Sequence, residues 1–290
     1  MWVRGRLDPG CVTMTQPLRS SCGSLPRSLV DPRKSAPSRE AYLTSATRAL
    51  TGPAAAALYG LDGFRDLAWP QHWCSPKGTR KQPGEVQSRM LGDPQWVAGV
   101  AIASPILVLR HLGLIAPSQR RQGDDVSWLD RVELAVEHAL REGLIDSRDL
   151  LHKGGHVRTP ELAEIAKSRR SEPPTESYAE TRALQLFRSA GWDPWRQVPV
   201  LDHGRIVQRV DFVLPYRPVR RPDLLRPHHG LLIEIDGRLV HEPAFESDHR
   251  RQTNYDLLGF RWVSFSATQI EVESKKVLRT IENVFNQGPR

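Results

Sequence analysis

Two short apolar runs, each interrupted by carboxylates, constrain this chain more than any other feature. Residues 206–214 read Ile-Val-Gln-Arg-Val-Asp-Phe-Val-Leu, and residues 231–237 read Leu-Leu-Ile-Glu-Ile-Asp-Gly. Both are apolar and β-branched enough to be core strands. Asp211, Glu234 and Asp236 nevertheless put charge into them. Side chains repeat every two residues along a strand, so Glu234 and Asp236 share a face. If the two strands are neighbours, Asp211 lies beside that face. Carboxylates that converge on a sheet repel one another unless a cation sits between them. The pattern therefore points to a metal site, with His241 close downstream.

The rest of the chain sets the frame for that site. Its 290 residues are enough for two domains, and 39% hydrophobic with 26% charged residues is ordinary for a globular protein. No apolar run approaches the roughly 20 residues of a membrane-spanning helix. Arg4 and Arg6 are not followed by the apolar segment of a secretory signal. Cys11, Cys22 and Cys74 have neither a disulfide-framework nor a metal-ligand spacing. The expected location is the cytoplasm, with no membrane and no small-molecule cofactor; the oligomeric state stays open. A net charge of +8 favours a polyanionic partner.

Taken in order, residues 1–38 are rich in Ser, Pro, Arg and Gly and read as a disordered tail, or as sequence upstream of a later start at Met14. Residues 39–61 read as two short helices divided by Thr51-Gly52-Pro53, and residues 85–103 as short strands, with 97–102 the best candidate. Ser104 and Pro105 open a helix that Gly113 closes. Residues 128–142 carry Leu129, Val132, Val136, Ala139 and Leu140 at helical spacing and end at Gly143. A short helix follows to Leu151. Residues 152–174 read as a linker, or as an exposed helix between linkers. Beyond it, residues 176–190 form a helix with Glu180 on its apolar face. Then come the acidic strands, a helix over 244–258, a strand over 260–265 and a closing helix over 271–285. The expected architecture is α/β: a mixed sheet flanked by helices over 175–287, after a smaller α+β region, mainly helical, over 39–151.

Glu180, Val210-Asp211-Phe212, Glu234-Ile235-Asp236-Gly237, His241, Phe245-Glu246, Asp248, Arg251 and Leu258-Gly259-Phe260-Arg261 fall in one order. That order resembles the PD-(D/E)-x-K nuclease superfamily, in the bacterial branch related to very-short-patch repair endonucleases. The resemblance covers about 175–285 and implies a restriction-endonuclease-like fold and Mg2+-dependent hydrolysis of DNA, with Mn2+ as a substitute. It makes Asp211 and Glu234 the metal ligands, with the carbonyl of Ile235 as a third. Glu180 completes the acidic cluster. Asp236 stands where the superfamily has lysine, and could ligate a second metal or act as a base, leaving proton transfer to His241.

The loop between the acidic strands holds Arg217, Arg220, Arg221 and Arg226 against Asp223 alone. Arginines beside a metal site suit phosphate contacts, and Arg250 and Arg251 extend the same basic surface. Asp248 and Arg251, three apart, also fit an intrahelical ion pair. In the first half, Ala54–Leu61, Ser104-Pro105 with its helix, and residues 139–145 resemble the middle region of type IV (abortive-infection) antitoxin-like proteins. Such proteins begin with a winged helix-turn-helix, whose strand-and-wing portion is not legible in residues 1–38. Two functions follow as expectations: a metal-dependent DNA endonuclease or nickase, and an inactive DNA-binding regulator of antitoxin type.

Overall fold

A computed structural model of the chain describes residues 48–65, 69, 71–76, 85–88, 94–97, 100–116, 120, 126–151, 159–169, 172–202, 205–218, 220–222, 225–236 and 253–289. Contacts divide it into two units after Leu112. In the first, β1 (Ala49–Thr51) leads into α1 (Gly52–Leu58), then β2 (His72–Pro76), β3 (Glu85–Ser88), β4 (Gln95–Val97), β5 (Val100–Ile102) and α2 (Pro105–Gly113). The strands form one sheet in the order β3-β2-β1-β5-β4.

That sheet corrects the expectation of a mainly helical N-terminal region. Ala49 and Leu50 lie in a strand, not a helix, and Leu50 pairs with both Trp73 and Ile102. Alanine and leucine prefer a helix by only tenths of a kcal/mol, which burial in a central strand overrides. The short strands expected over 85–103 are β3, β4 and β5, and the best candidate, 97–102, falls on two of them, with Val97 opposite Val100 in an antiparallel pair. The strands run three to five residues, too short for alternation to declare itself. Gly52, at φ +66, makes the corner from β1 into α1, and Pro53 sits in the first turn. Residues 1–38, read as a tail, lie outside the described residues.

The second unit runs α3 (Trp128–Arg141), α4 (Ser147–Leu151), α5 (Pro160–Arg169), α6 (Tyr178–Ser189), β6 (Trp195–Asp202), β7 (Arg205–Pro215) and β8 (Gly230–Asp236). A helical stretch at 253–257 follows, then β9 (Trp262–Ser266), α7 (Ala267–Val272) and α8 (Ser274–Asn286). Ser127 caps α3 by accepting from the amide of Asp130 at 3.1 Å, and Gly143 ends it at φ +67. Residues 131–139 of α3 are all buried, the charged ones included. Each buried carboxylate has partners. Glu133 accepts from Arg188 of α6 at 2.6 Å. Glu137 accepts from Arg196 of β6 at 2.9 Å, from Arg169 of α5, and from the amide of Thr175 at 3.1 Å.

These contacts give α5 a different place from the linker or exposed helix expected over 152–174. Leu162, Ile165 and Arg169 are buried. The division falls at Leu112, and α3 to α5 belong with the sheet that follows them. The expectation drew its boundary at the Pro- and Gly-containing stretch, but buried ion pairs cross it.

The second sheet has the order β6-β7-β8-β9, antiparallel except for the parallel β8–β9 pair. One face packs Phe212, Leu214, Leu231, Ile233 and Ile235 against α6, α7 and α8. Phe187 of α6 meets Phe212 edge to face, with ring centroids 5.5 Å apart. The other face carries Val210, Val213, Leu232, Tyr255 and Phe260. Helix α6 forms because Ala179, Ala183, Leu184 and Phe187 make one apolar stripe and Gly191, at φ +81, stops it. The expected single closing helix is two helices, α7 and α8, that meet at Glu273. Among the described residues, no helix is long and apolar enough to cross a membrane.

Candidate active site

Alternation along β6 and β7 breaks at one point in each strand. On β7, Val210 and Phe212 have the same parity but pack on opposite faces of the sheet. On β6, Trp195 and Val198 differ in parity yet share a face. Arg196 pairs with Phe212 and Val198 with Val210, while Gln197 and Asp211, opposite each other between those rungs, form no ladder pair. Gln197 has φ +48, unusual for a residue with a side chain. Both side chains are thereby turned out of the ladder at the point where the strands change face.

Asp211 lies one step past the last rung between β7 and β8, Phe212–Ile233. Its Oδ2 accepts from the amide of Ile235 at 2.7 Å. Burial, and next the Glu234 charge, push Asp211 up to about 8. The Ile235 and Gln197 amides oppose the rise by favouring its charged form. Glu180 sits in the first turn of α6, where its amide donates to Ser177 Oγ at 3.1 Å. Its Oε2 accepts from the Glu176 amide and from Gln197 Nε2, each at 2.8 Å. Burial, and next the Asp211 charge, push Glu180 up to about 7.

Glu234 is half-buried, and its Oε1 accepts from the Tyr255 hydroxyl and from Gln208 Nε2 at 3.2 Å. Gln208 also donates to Tyr255 and leaves its own Oε1 buried without a hydrogen-bond partner. These donors are neutral, so they orient the carboxylates without cancelling their charge. With burial, that leaves Glu180 and Asp211 weaker acids than usual.

Asp211 stands electrostatically between the other two carboxyls: its charge raises Glu180, and the Glu234 charge raises Asp211. Glu234 and Asp236 share the face of Leu232, as the period of two requires, but Asp236 is exposed at the end of β8, opposite Ser266. Ile235 contributes its amide to Asp211. His241, Phe245, Glu246, Asp248, Arg250 and Arg251, with most of the helix expected over 244–258, lie outside the described residues. Of the loop arginines, Arg217, Arg220 and Arg226 are exposed. Arg221 is committed elsewhere: it donates to Glu172 at 2.6 Å and to the Gln197 carbonyl at 3.2 Å.

Gln197, Gln208 and Tyr255 escaped the sequence reading. A glutamine in an apolar strand gives no warning that it will leave the ladder. Tyr255 did carry a signal, since a buried tyrosine needs a partner for its hydroxyl.

Among the described residues, no three His, Cys, Asp or Glu side chains are gathered to hold a metal ion. A hard cation of the Mg2+ type needs fewer: one or two carboxylates suffice, with water filling its other positions. The Asp211–Glu234 pair fits that requirement, and the unpartnered Gln208 Oε1 adds a neutral oxygen nearby. No family model, no curated protein and no solved structure matches the chain.

Proposed function

We propose that this chain is a Mg2+-dependent DNA endonuclease or nickase of the PD-(D/E)-x-K type. The observation that carries the reading is the pairing of the Asp211 and Glu234 carboxyls, half-buried at a break in the sheet and poorly neutralised. Like charges held together in a protein interior are costly, and a site that accepts a cation explains their placement. Asp211 and Glu234 would hold the ion, with the Ile235 carbonyl as a third oxygen, and Mn2+ could replace Mg2+. When bound, the ion would polarise the phosphate and acidify a water.

The chain's own groups have separate tasks in this reading. Glu180, raised to about 7, holds or releases a proton next to the pair near neutral pH. Asp236, at the exposed end of β8, is reachable from solvent as a base or outer ligand, and His241 is the other candidate for proton transfer. Arg217, Arg220 and Arg226, exposed on the β7–β8 loop, would take the phosphates of DNA, joined by Arg250 and Arg251.

A second reading is a DNA-binding regulator of antitoxin type that has lost catalysis. It is favoured by the absence, among the described residues, of a third metal-ligating side chain with the pair, and by Asp236 in the lysine position. A plasmid-nicking assay with the full chain separates the two. Nicking that requires Mg2+ or Mn2+ and disappears in Asp211→Asn and Glu234→Gln supports the enzyme. Binding of DNA without nicking under any metal condition leaves the regulator.

A further inference from the structure

We infer that Gln197 is a positioning residue for the carboxylate pair, an inference that rests on the metal-site reading above. Gln197 is 6% exposed, so its polar groups must be satisfied inside the protein. At φ +48 it gives up its place opposite Asp211 in the β6–β7 ladder. A residue with a Cβ adopts that conformation at a cost, and the surroundings hold it there from two sides. Arg221 of the β7–β8 loop donates to the Gln197 carbonyl at 3.2 Å while its other nitrogen engages Glu172. Glu172 in turn accepts from the amide of Arg196, the residue before Gln197, at 3.3 Å.

The side chain uses the freedom so gained. Nε2 donates to Glu180 Oε2 at 2.8 Å, and the same amide, opposite Asp211 across the strands, favours the charged form of Asp211. Carboxylates accept only, so the nitrogen end of the carboxamide is the end that must face them. A neutral donor set among mutually repelling carboxylates can steady them without neutralising either. A lysine there would discharge the pair; a leucine would leave both unheld. The Ile235 amide holds the Asp211 Oδ2 atom from one side, and Gln197 steadies Glu180 on the other. A ligand fixed in advance loses less freedom when an ion arrives.

Manganese affinity, measured by isothermal titration on the full chain, tests this with Gln197→Gly. Glycine accepts positive φ freely, so the fold is kept while the carboxamide is removed. The expected result is Mn2+ affinity at least tenfold weaker than in the unaltered chain, with cooperative melting retained. In the nicking assay, turnover should fall while KM for DNA stays within twofold. Gln197→Asn serves as a second variant, because asparagine tolerates the same backbone region but is one methylene too short to reach Glu180 as glutamine does. It too should fold and bind Mn2+ more weakly. Affinity within twofold of the unaltered chain in either folded variant overturns the positioning role and leaves the metal site standing. Failure of both variants to fold overturns it too, since Gln197 would then serve the fold. Absence of Mn2+ binding in the unaltered chain overturns the metal-site reading itself, and this inference with it.

Discussion

Tyr255 donates its hydroxyl to Glu234 Oε1 from a position 1% exposed to solvent. The bond joins the helical stretch 253–257 to the centre of β8, so Glu234 is oriented from a part of the chain distant in sequence. Tyr255→Phe removes the donor and keeps the ring in the core with Phe260 and Leu232. A lost bond to a charged group should cost about 1.5–3 kcal/mol. We expect a lower melting temperature and weaker Mn2+ binding. An unchanged metal affinity would mean that Gln208 alone orients Glu234.

The acidities at the site predict an unusual pH dependence for the metal-free protein. Asp211 moves from 3.8 to about 8 on folding, and Glu180 from 4.5 to about 7. Through this window the folded chain keeps protons that the unfolded chain has lost, so stability falls as pH rises from about 4 to about 8 and then levels. Asp211→Asn should flatten much of that slope and stabilise the metal-free chain by about 1–3 kcal/mol at pH 8. Urea denaturation at several pH values reads this directly. A variant no more stable than the parent at pH 8 would show that the carboxyl is not under strain.

The Glu137 cluster should respond in the opposite sense. Burial alone would raise this glutamate, but Arg196 and Arg169 hold it below its ordinary range. Its contribution is therefore present above the unfolded value of 4.5 and is lost as pH falls through the lower folded value. Glu137→Gln leaves two arginines, 4% and 1% exposed, without their anion. Breaking a buried pair in this way typically costs about 3–5 kcal/mol, and thermal melting should show it. A loss under about 1 kcal/mol would contradict the pairing.

The loop arginines should divide into two groups. Arg217→Gln, Arg220→Gln and Arg226→Gln should weaken DNA binding alike for all sequences, each lowering the salt slope by about 0.9 where a phosphate contact is lost. Arg221→Gln should leave the slope unchanged and lower the melting temperature, because its guanidinium holds Glu172 and Gln197. A salt slope that falls equally in all four would remove Arg221 from its structural role.

How much of this was legible in the sequence differs from place to place. Asp211 and Glu234 could be read because charge inside an apolar strand is costly and therefore conspicuous, and Glu180 because it falls on the apolar face of its helix. The period of two gave Glu234 and Asp236 their shared face. What the period could not give was the change of face at Asp211, since that depends on the conformation of Gln197 in another strand. In the first unit, Ala49 and Leu50 read as helix because local preference was the only signal available; their strand exists through pairing with Trp73 and Ile102. The break at Glu273 was hidden because Val272 continues the apolar period of α8 in sequence while lying 76% exposed.

The buried ion pairs of α3 also bear on how such a chain can be inherited. A fragment from Thr175 onward would contain the whole four-stranded sheet and every carboxylate of the candidate site. It would also contain Arg196, whose anion Glu137 is on α3, and Arg188, whose anion Glu133 is on the same helix. A gene rearrangement that cut between Leu151 and Thr175 would therefore carry off the chemistry and leave its counter-charges behind. The portion that can move between proteins as a working part must begin no later than Ser127, the cap of α3.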